Sequence, residues 1–320
     1  MNHHSLMCQL DHLANVVQQL ETRIESNFLC LPNPHPLGMP AEVHWRHFKH
    51  GDGRSRLRQY LKELREITEG AGFRWDQFHL RISDEDARYT TDVHPGIHVK
   101  QQCLKYLGRK CRIWDLFSAP GMDILYNMVL AAILPEREIQ SVGVSIARDD
   151  VEMLRFARLK HNVDSMLQSL PFGSKVMKPE LHAMSALDFC TKPPSTTQVA
   201  DLLWLSPPWM TSRGDMETGV GVGIKRDPKD FTNEICSLVC AIFNTYKSTP
   251  KVIASMLPYD WNDIKSLVLL PCMGVYSLAE KIHIVKKAKE GGKTISTYFV
   301  FIMVQNYCKP TTEDEFVFYV

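Results

Sequence analysis

From Arg112 onward the chain alternates short, apolar, β-branched runs with longer segments of helical period. Neighbouring parallel strands need a crossover of a dozen residues or more, usually a helix. The alternation therefore predicts an α/β domain: a mostly parallel sheet with helices on both faces. Strands are expected at Arg112–Phe117, Ser141–Ile146, around Leu181–Ser185, Ala200–Leu205 and Lys251–Leu257. Helices are expected over Met122–Leu134, about Asp150–His161, and Phe231–Tyr246. The end reads as strand, helix, strand, with a short strand at Val275–Ala279 and a long one at Ile295–Val304.

The first quarter of the chain has another texture. Leu6, Leu10, Leu13, Val17, Leu20 and Ile24 recur every three or four residues, one apolar stripe along a helix. Such a stripe docks on its own domain or on a protein partner, and it is short for a coiled coil. Four prolines between Pro32 and Pro40 mark a linker. A further helix is expected over Arg56–Thr68. Leu57, Leu61 and Leu64 lie on one face, and Arg58, Lys62 and Arg65 form a solvated or phosphate-binding face. We divide the chain accordingly into an N-terminal helical extension with linker, 1–75, and a main domain, 76–320.

The 37 basic and 36 acidic residues leave no global basic field for nucleic acid, although a local patch can still bind a few phosphates. None of the nine cysteines forms a C-x-x-C pair, and Cys236 and Cys240 have no histidine at ligand spacing. Scattered reduced thiols, with no metal site, fit an intracellular protein of nucleus or cytoplasm. No run of about 18 apolar residues is present, so neither a membrane span nor membrane association is expected.

In an open α/β sheet, ligands bind beyond the carboxyl ends of the strands, so the turns there carry the chemistry. After the first strand comes Asp115-Leu-Phe-Ser118-Ala-Pro-Gly121, an acid followed by a small-residue turn. After the second stand Ser145, then Asp149 and Asp150, which are equally well explained as helix N-terminal acids. After the third, Asp188 and Phe189 offer an acid and a ring for a purine, or a local cap. After the fourth comes Leu205-Ser206-Pro207-Pro208-Trp209. Two prolines fix φ and remove backbone donors, so the flanking carbonyls can be held towards a substrate amine. The aromatic offers a stacking face. Such segments are typical of methyltransferases acting on exocyclic or side-chain nitrogen.

Several segments, in order, resemble the catalytic domain of trimethylguanosine synthases, which convert 7-methylguanosine RNA caps to the 2,2,7-trimethyl form. They are Leu205–Trp209, His94-Pro95-Gly-Ile-His98, Phe156-Ala157-Arg158, and Lys293-Thr-Ile-Ser-Thr-Tyr-Phe299, within about Phe78–Phe301. The resemblance implies a Rossmann-like class I fold dependent on S-adenosylmethionine (SAM), with an antiparallel last strand. It implies SAM contacts at Asp115, Ser118, Gly121, Asp149, Asp188 and Phe189. Ser206, Pro207 and Trp209 would then handle the amine and base of a 7-methylguanosine-capped RNA, in RNA processing.

Four positions depart from that family. The glycine-rich turn is reduced to Ser-Ala-Pro-Gly-Met, and Ser145 stands where an aspartate is usual. Met-Thr-Ser follows Trp209, and Leu257-Pro258-Tyr259 replaces Leu-Pro-Arg. Base stacking is thus better preserved than cofactor and phosphate contacts. A weakly active enzyme, an inactive cap-binding module, and a methyltransferase for another amine are the alternatives.

Overall fold

The central strands are built from residues that want burial on both sides. All four residues of Leu202-Leu-Trp-Leu205 and all six of Val252-Ile-Ala-Ser-Met-Leu257 are buried, the pattern of parallel strands covered on both faces. The computed structural model describes residues 53–83, 91–118, 121–192, 194, 198–207, 210–211, 224–225, 228–257, 275–287 and 294–319. The expected helix at Leu6–Ile24 and linker at Pro32–Pro40 lie outside them.

In chain order the strands are β1 Lys110–Asp115, β2 Glu138–Ser145, β3 Glu180–Ala183, β4 Leu202–Leu205, β5 Met210–Thr211, β6 Ile224–Lys225, β7 Val252–Leu257, β8 Tyr276–Lys287, β9 Thr294–Gln305 and β10 Thr312–Tyr319. The helices are α1 Gly53–Ile67, α2 Val93–Leu104, α3 Met122–Ile133, α4 Asp150–Ser169, α5 Ala186–Thr191 and α6 Pro228–Tyr246. Among the described residues, eight strands form one sheet in the order β10-β8-β9-β7-β4-β1-β2-β3, and β5 pairs with β6 in a second. Pairings from β3 across to β7 are parallel, β9 is antiparallel to both β7 and β8, and β10 is parallel to β8. This is the expected Rossmann-like α/β architecture.

The expected antiparallel strand at Ile295–Val304 is β9. The end of the chain differs in two respects. Residues read as a helix after Ala279 continue β8 as far as Lys287, and β10 adds a strand beyond β9. The sequence Ala-Glu-Lys, and the lysines that follow, favour a helix locally. Pairing with β9 along Ile282, Ile284 and Val285 overrides that preference.

Alternation along the strands sorts the core into two layers. Ile113, Leu202, Trp204, Ala254 and Met256 face the layer containing α2 and α3. Trp114, Leu203, Leu205 and Ile253 face the layer containing α5 and α6. α2 crosses close to α3: a Cβ on Gly96 would lie 2.7 Å from Cε2 of buried Tyr126. α4 anchors the preceding segment through side chains. Ser165 accepts from the His79 N–H at 2.7 Å, Asn162 accepts from the Arg81 N–H at 2.7 Å, and Asn162 donates to the Arg81 carbonyl at 2.8 Å.

α1 places Tyr60 and Leu64 in the α2/α3 layer, while Arg58, Lys62 and Arg65 face solvent. Residues Arg56–Val320 make up one compact unit. At its outer end, β8 carries Lys281 and His283 beside β10, with Lys281 3.8 Å from Glu313 and His283 3.2 Å from Glu315. Among the described residues no helix is long and apolar enough to cross a membrane.

Candidate functional site

Strand order reverses between β1 and β4: the chain runs outward from β1 through β2 to β3, then returns to β4 and proceeds the other way to β7. The crevice beyond the carboxyl ends of β1 and β4 is the ligand position such a reversal creates. The turn after β1 and the Ser206–Pro207 segment after β4 both leave the sheet there, because β1 and β4 are parallel neighbours with Asp115 opposite Trp204.

The β1 turn is tightly held. Asp115 Oδ1 accepts from the Phe117 N–H at 3.1 Å. The Ser118 N–H and hydroxyl both donate to the Val144 carbonyl, each at 3.0 Å, tying the turn to β2. Gly121 has φ +106°, the left-handed region where a side chain is strained. A Cβ there would also meet Leu159 Cδ1 on α4 at 2.7 Å. The single glycine of the reduced turn is therefore required by backbone and packing together.

The remaining sequence-derived candidates are placed unevenly. Ser145 is buried at the end of β2. Asp149 caps α4: its carboxylate accepts from the Glu152 N–H at 2.8 Å. Asp188 accepts from the Ser185 hydroxyl at 2.6 Å while Ser185 caps the Asp188 N–H at 3.0 Å, a local capping arrangement on an exposed turn. Phe189, one residue on, is buried in the α5/α6 layer edge-on to Trp114, with ring centroids 5.0 Å apart. Asp188 thus stands at the carboxyl edge, whereas the Phe189 ring is spent on the core. Ser206 is half-buried, its hydroxyl 4.0 Å from Met256 Sδ, and Pro207 is buried. Pro208, Trp209, Pro258, Tyr259 and Lys293 lie outside the described residues.

A polar cluster beneath the β1 turn has no counterpart in the sequence reading. Strand alternation points Asp115 and Trp204 to the α2/α3 side, where α2 supplies Lys100 and α3 supplies Asp123. Lys100 is fully buried. Its Nζ lies 3.7 Å from Asp123 Oδ1, a charge contact longer than a hydrogen bond, and 3.9 Å from the centre of the Trp204 ring. Asp123 Oδ2 accepts from the Thr91 hydroxyl at 3.1 Å. Among the described residues, Lys100 Nζ, Asp115 Oδ2 and Asp123 Oδ1 are buried without a hydrogen-bond partner. Burial, then the charge of Asp123, pushes the Asp115 carboxyl up to about 8, against the opposing pull of Lys100. Burial also lowers Lys100 from its ordinary range, with Asp123 and Asp115 pulling the other way.

Lys100 was legible in principle. It sits seven residues after Val93 and three after Ile97, inside the apolar stripe of α2, with Cys103 and Leu104 continuing it. A lysine in the middle of an apolar helical stripe needs a buried counter-charge.

No family model matches the sequence, and no curated protein matches it. Among solved structures, the chain is similar to a protein from Listeria monocytogenes assigned to the class I SAM-dependent methyltransferases: TM-score 0.46, 10% identity, covering 92% of this chain and 82% of that one. It is also similar to the SAM-dependent methyltransferase of Agrobacterium tumefaciens: TM-score 0.44, 12% identity, covering 72% and 67%. An rRNA methylase from Streptococcus thermophilus gives TM-score 0.35 at 11% identity, covering 66% and 97%.

Proposed function

We propose that the protein is a SAM-dependent N-methyltransferase, and that its acceptor is guanine N2 of a 7-methylguanosine-capped RNA. The observation that carries the first part is the position of two turns. The residues after β1, Leu116–Ser118 and Gly121, and the Ser206–Pro207 segment after β4 follow the carboxyl ends of neighbouring parallel strands at the strand-order reversal, where such sheets bind ligands. The second part rests on the sequence resemblance at Leu205–Trp209 and Lys293–Phe299.

The β1 turn suits the methionine end of SAM. Gly121 lets the chain turn in the left-handed region against Leu159 of α4, and among the described residues the buried Asp115 Oδ2 has no hydrogen-bond partner. The ribose end is less well provided for, because Ser145 ends β2 without a charge and Asp149 is engaged as a helix cap. When bound, SAM supplies a sulfonium-activated methyl group. The carbonyls of Ser206 and Pro207 would accept from the acceptor amine and aim its lone pair along the displacement axis. That lone pair is delocalised into the guanine ring, so alignment rather than a strong side-chain base supplies most of the acceleration. Trp209 would stack on the 7-methylguanine, whose positive charge strengthens the contact.

Incubation with labelled SAM and 7-methylguanosine-capped RNA, followed by nucleoside analysis, tests both parts. Label in N2-methylated guanosine supports them. Label elsewhere removes the cap assignment, and SAM binding without transfer indicates a non-catalytic module.

Two variants probe the departures from the family. Ser145→Asp should tighten SAM binding, because one charge-assisted hydrogen bond is worth roughly 1.5–3 kcal/mol, about tenfold or more in affinity. An unchanged dissociation constant, or nanomolar binding by wild type, would remove this explanation. Trp209→Ala should weaken binding of 7-methylguanosine diphosphate by about 1–3 kcal/mol, while Trp209→Phe keeps part of the contact. A folded alanine variant that still prefers the methylated over the plain guanosine ligand as strongly as wild type would sink the stacking role.

A further inference from the structure

The group beneath the β1 turn has an uneven charge count. Two carboxylates, Asp115 and Asp123, lie with one ammonium, Lys100, in a largely buried site. From α2 the site also receives the thiol of Cys103, which burial pushes up to about 12 and so keeps neutral. From β4 and β7 it receives Trp204 and Met256, and from the segment before α2 the Thr91 hydroxyl, none of which carries charge. Tyr126 of α3 is held neutral by burial and donates to the Thr91 carbonyl. With every group in its ordinary state the site would bury a net negative charge, which disfavours the fully ionised form. One proton restores neutrality.

We infer that Lys100 and Asp123 are positioning residues that keep a single exchangeable proton on Asp115, and that a cationic ligand entering the crevice displaces it to solvent. This deepens the SAM reading and rests on it. The sulfonium brings one positive charge, the proton carries one away, and the site remains balanced throughout. Asp115 Oδ1 accepts from the Phe117 N–H, so the proton is assigned to the other oxygen, Oδ2. The Asp115 carboxyl, pushed up to about 8, keeps the proton through neutral pH.

The sign follows directly. Below about pH 8 the free protein holds the proton, so ligand binding releases it and apparent affinity falls as pH is lowered. Well above that pH the proton is already gone, and binding releases none. S-adenosylhomocysteine has the same ammonium and carboxylate as SAM but a neutral thioether. The difference between the two ligands therefore isolates the effect of the sulfonium.

The test is calorimetric titration of the full chain with SAM and with S-adenosylhomocysteine, in buffers of differing ionisation enthalpy, at several pH values. SAM should release close to one proton at pH 6.5 and almost none by pH 9.5, and S-adenosylhomocysteine less than half as much at pH 6.5. Asp115→Asn has no proton to give, and Asp123→Asn leaves one carboxylate balanced by Lys100. Asp123→Asn should bind SAM with no extra release, whereas Asp115→Asn should bind it more weakly and release none in the binding that remains. Equal proton release by the two ligands in wild type would overturn the inference while leaving SAM binding intact. Undiminished release in a folded Asp115→Asn protein would do the same. Absence of SAM binding, checked independently by equilibrium dialysis, would overturn the SAM reading and this inference with it.

Discussion

Asp115→Asn should make the ligand-free protein more stable than wild type at pH 8, and leave the two alike near pH 4. In the folded state the Asp115 carboxyl holds its proton up to about 8, against an ordinary value of 3.8. Between those values the folded chain binds more protons than the unfolded one. Raising the pH therefore favours unfolding, by at most about 1.4 kcal/mol per pH unit for one proton. Above that window the penalty stops growing. Asparagine keeps the shape and the acceptor for the Phe117 N–H but cannot ionise. Urea unfolding of both proteins at pH 4.5, 6, 7 and 8 reads the difference, which should widen with pH to several kcal/mol. Two stability profiles that run parallel would mean that Asp115 is ionised in the folded protein, with Lys100 as its full counter-charge.

The second large effect is at Gly121. Alanine there must adopt a φ of +106° and place its Cβ 2.7 Å from Leu159 Cδ1, on a side chain with no exposure. The backbone cost is on the order of 1–3 kcal/mol, and the clash adds to it unless Leu159 yields. Gly121→Ala should therefore lose about 2–4 kcal/mol of stability and weaken SAM binding, since the turn must shift to relieve either strain. Combining it with Leu159→Ala separates the two causes. The double variant should be less destabilised than the sum of the singles, because removing the leucine relieves the contact but not the backbone strain. Strict additivity would mean that the turn moves away from α4 rather than pressing on it.

The central sheet was legible because its strands are parallel and covered on both faces. Continuous apolar runs such as Leu202–Leu205 and Val252–Leu257 admit few other readings. The sheet's outer strands were harder. In β8, Lys281 and His283 alternate with buried Ile282 and Ile284, and the lysine-rich continuation looked helical because pairing with β9 is a long-range effect.

The candidate site shows the same division. The turns after β1 and β4 could be located because strand order alone puts them on one edge. Side-chain direction could not be read so easily. Asp188 and Phe189 are consecutive on α5, yet one is exposed and the other fully buried, because successive residues on a helix point about 100° apart. Asp149 had two readings, and its hydrogen bond to the Glu152 N–H supplies the helix-capping one. Lys100 escaped notice because lysine is read as solvent-facing by default. Only the crossing of α2 over α3 at Gly96 shows what it meets.

The two ends of the strand order have a consequence for the protein in a crowded solution. An open sheet ends in backbone groups that a second copy could adopt as a template, and repeated pairing of that kind yields aggregates. β3, at one end, is only four residues long and offers few such bonds. β10, at the other end, is twice that length but carries Glu313, Asp314 and Glu315 in succession, all exposed. Laying one β10 against another would crowd six carboxylates along a single seam, with Lys281 and His283 already committed to their own Glu313 and Glu315. Growth of the sheet from copy to copy is thus opposed by brevity on one side and by charge on the other.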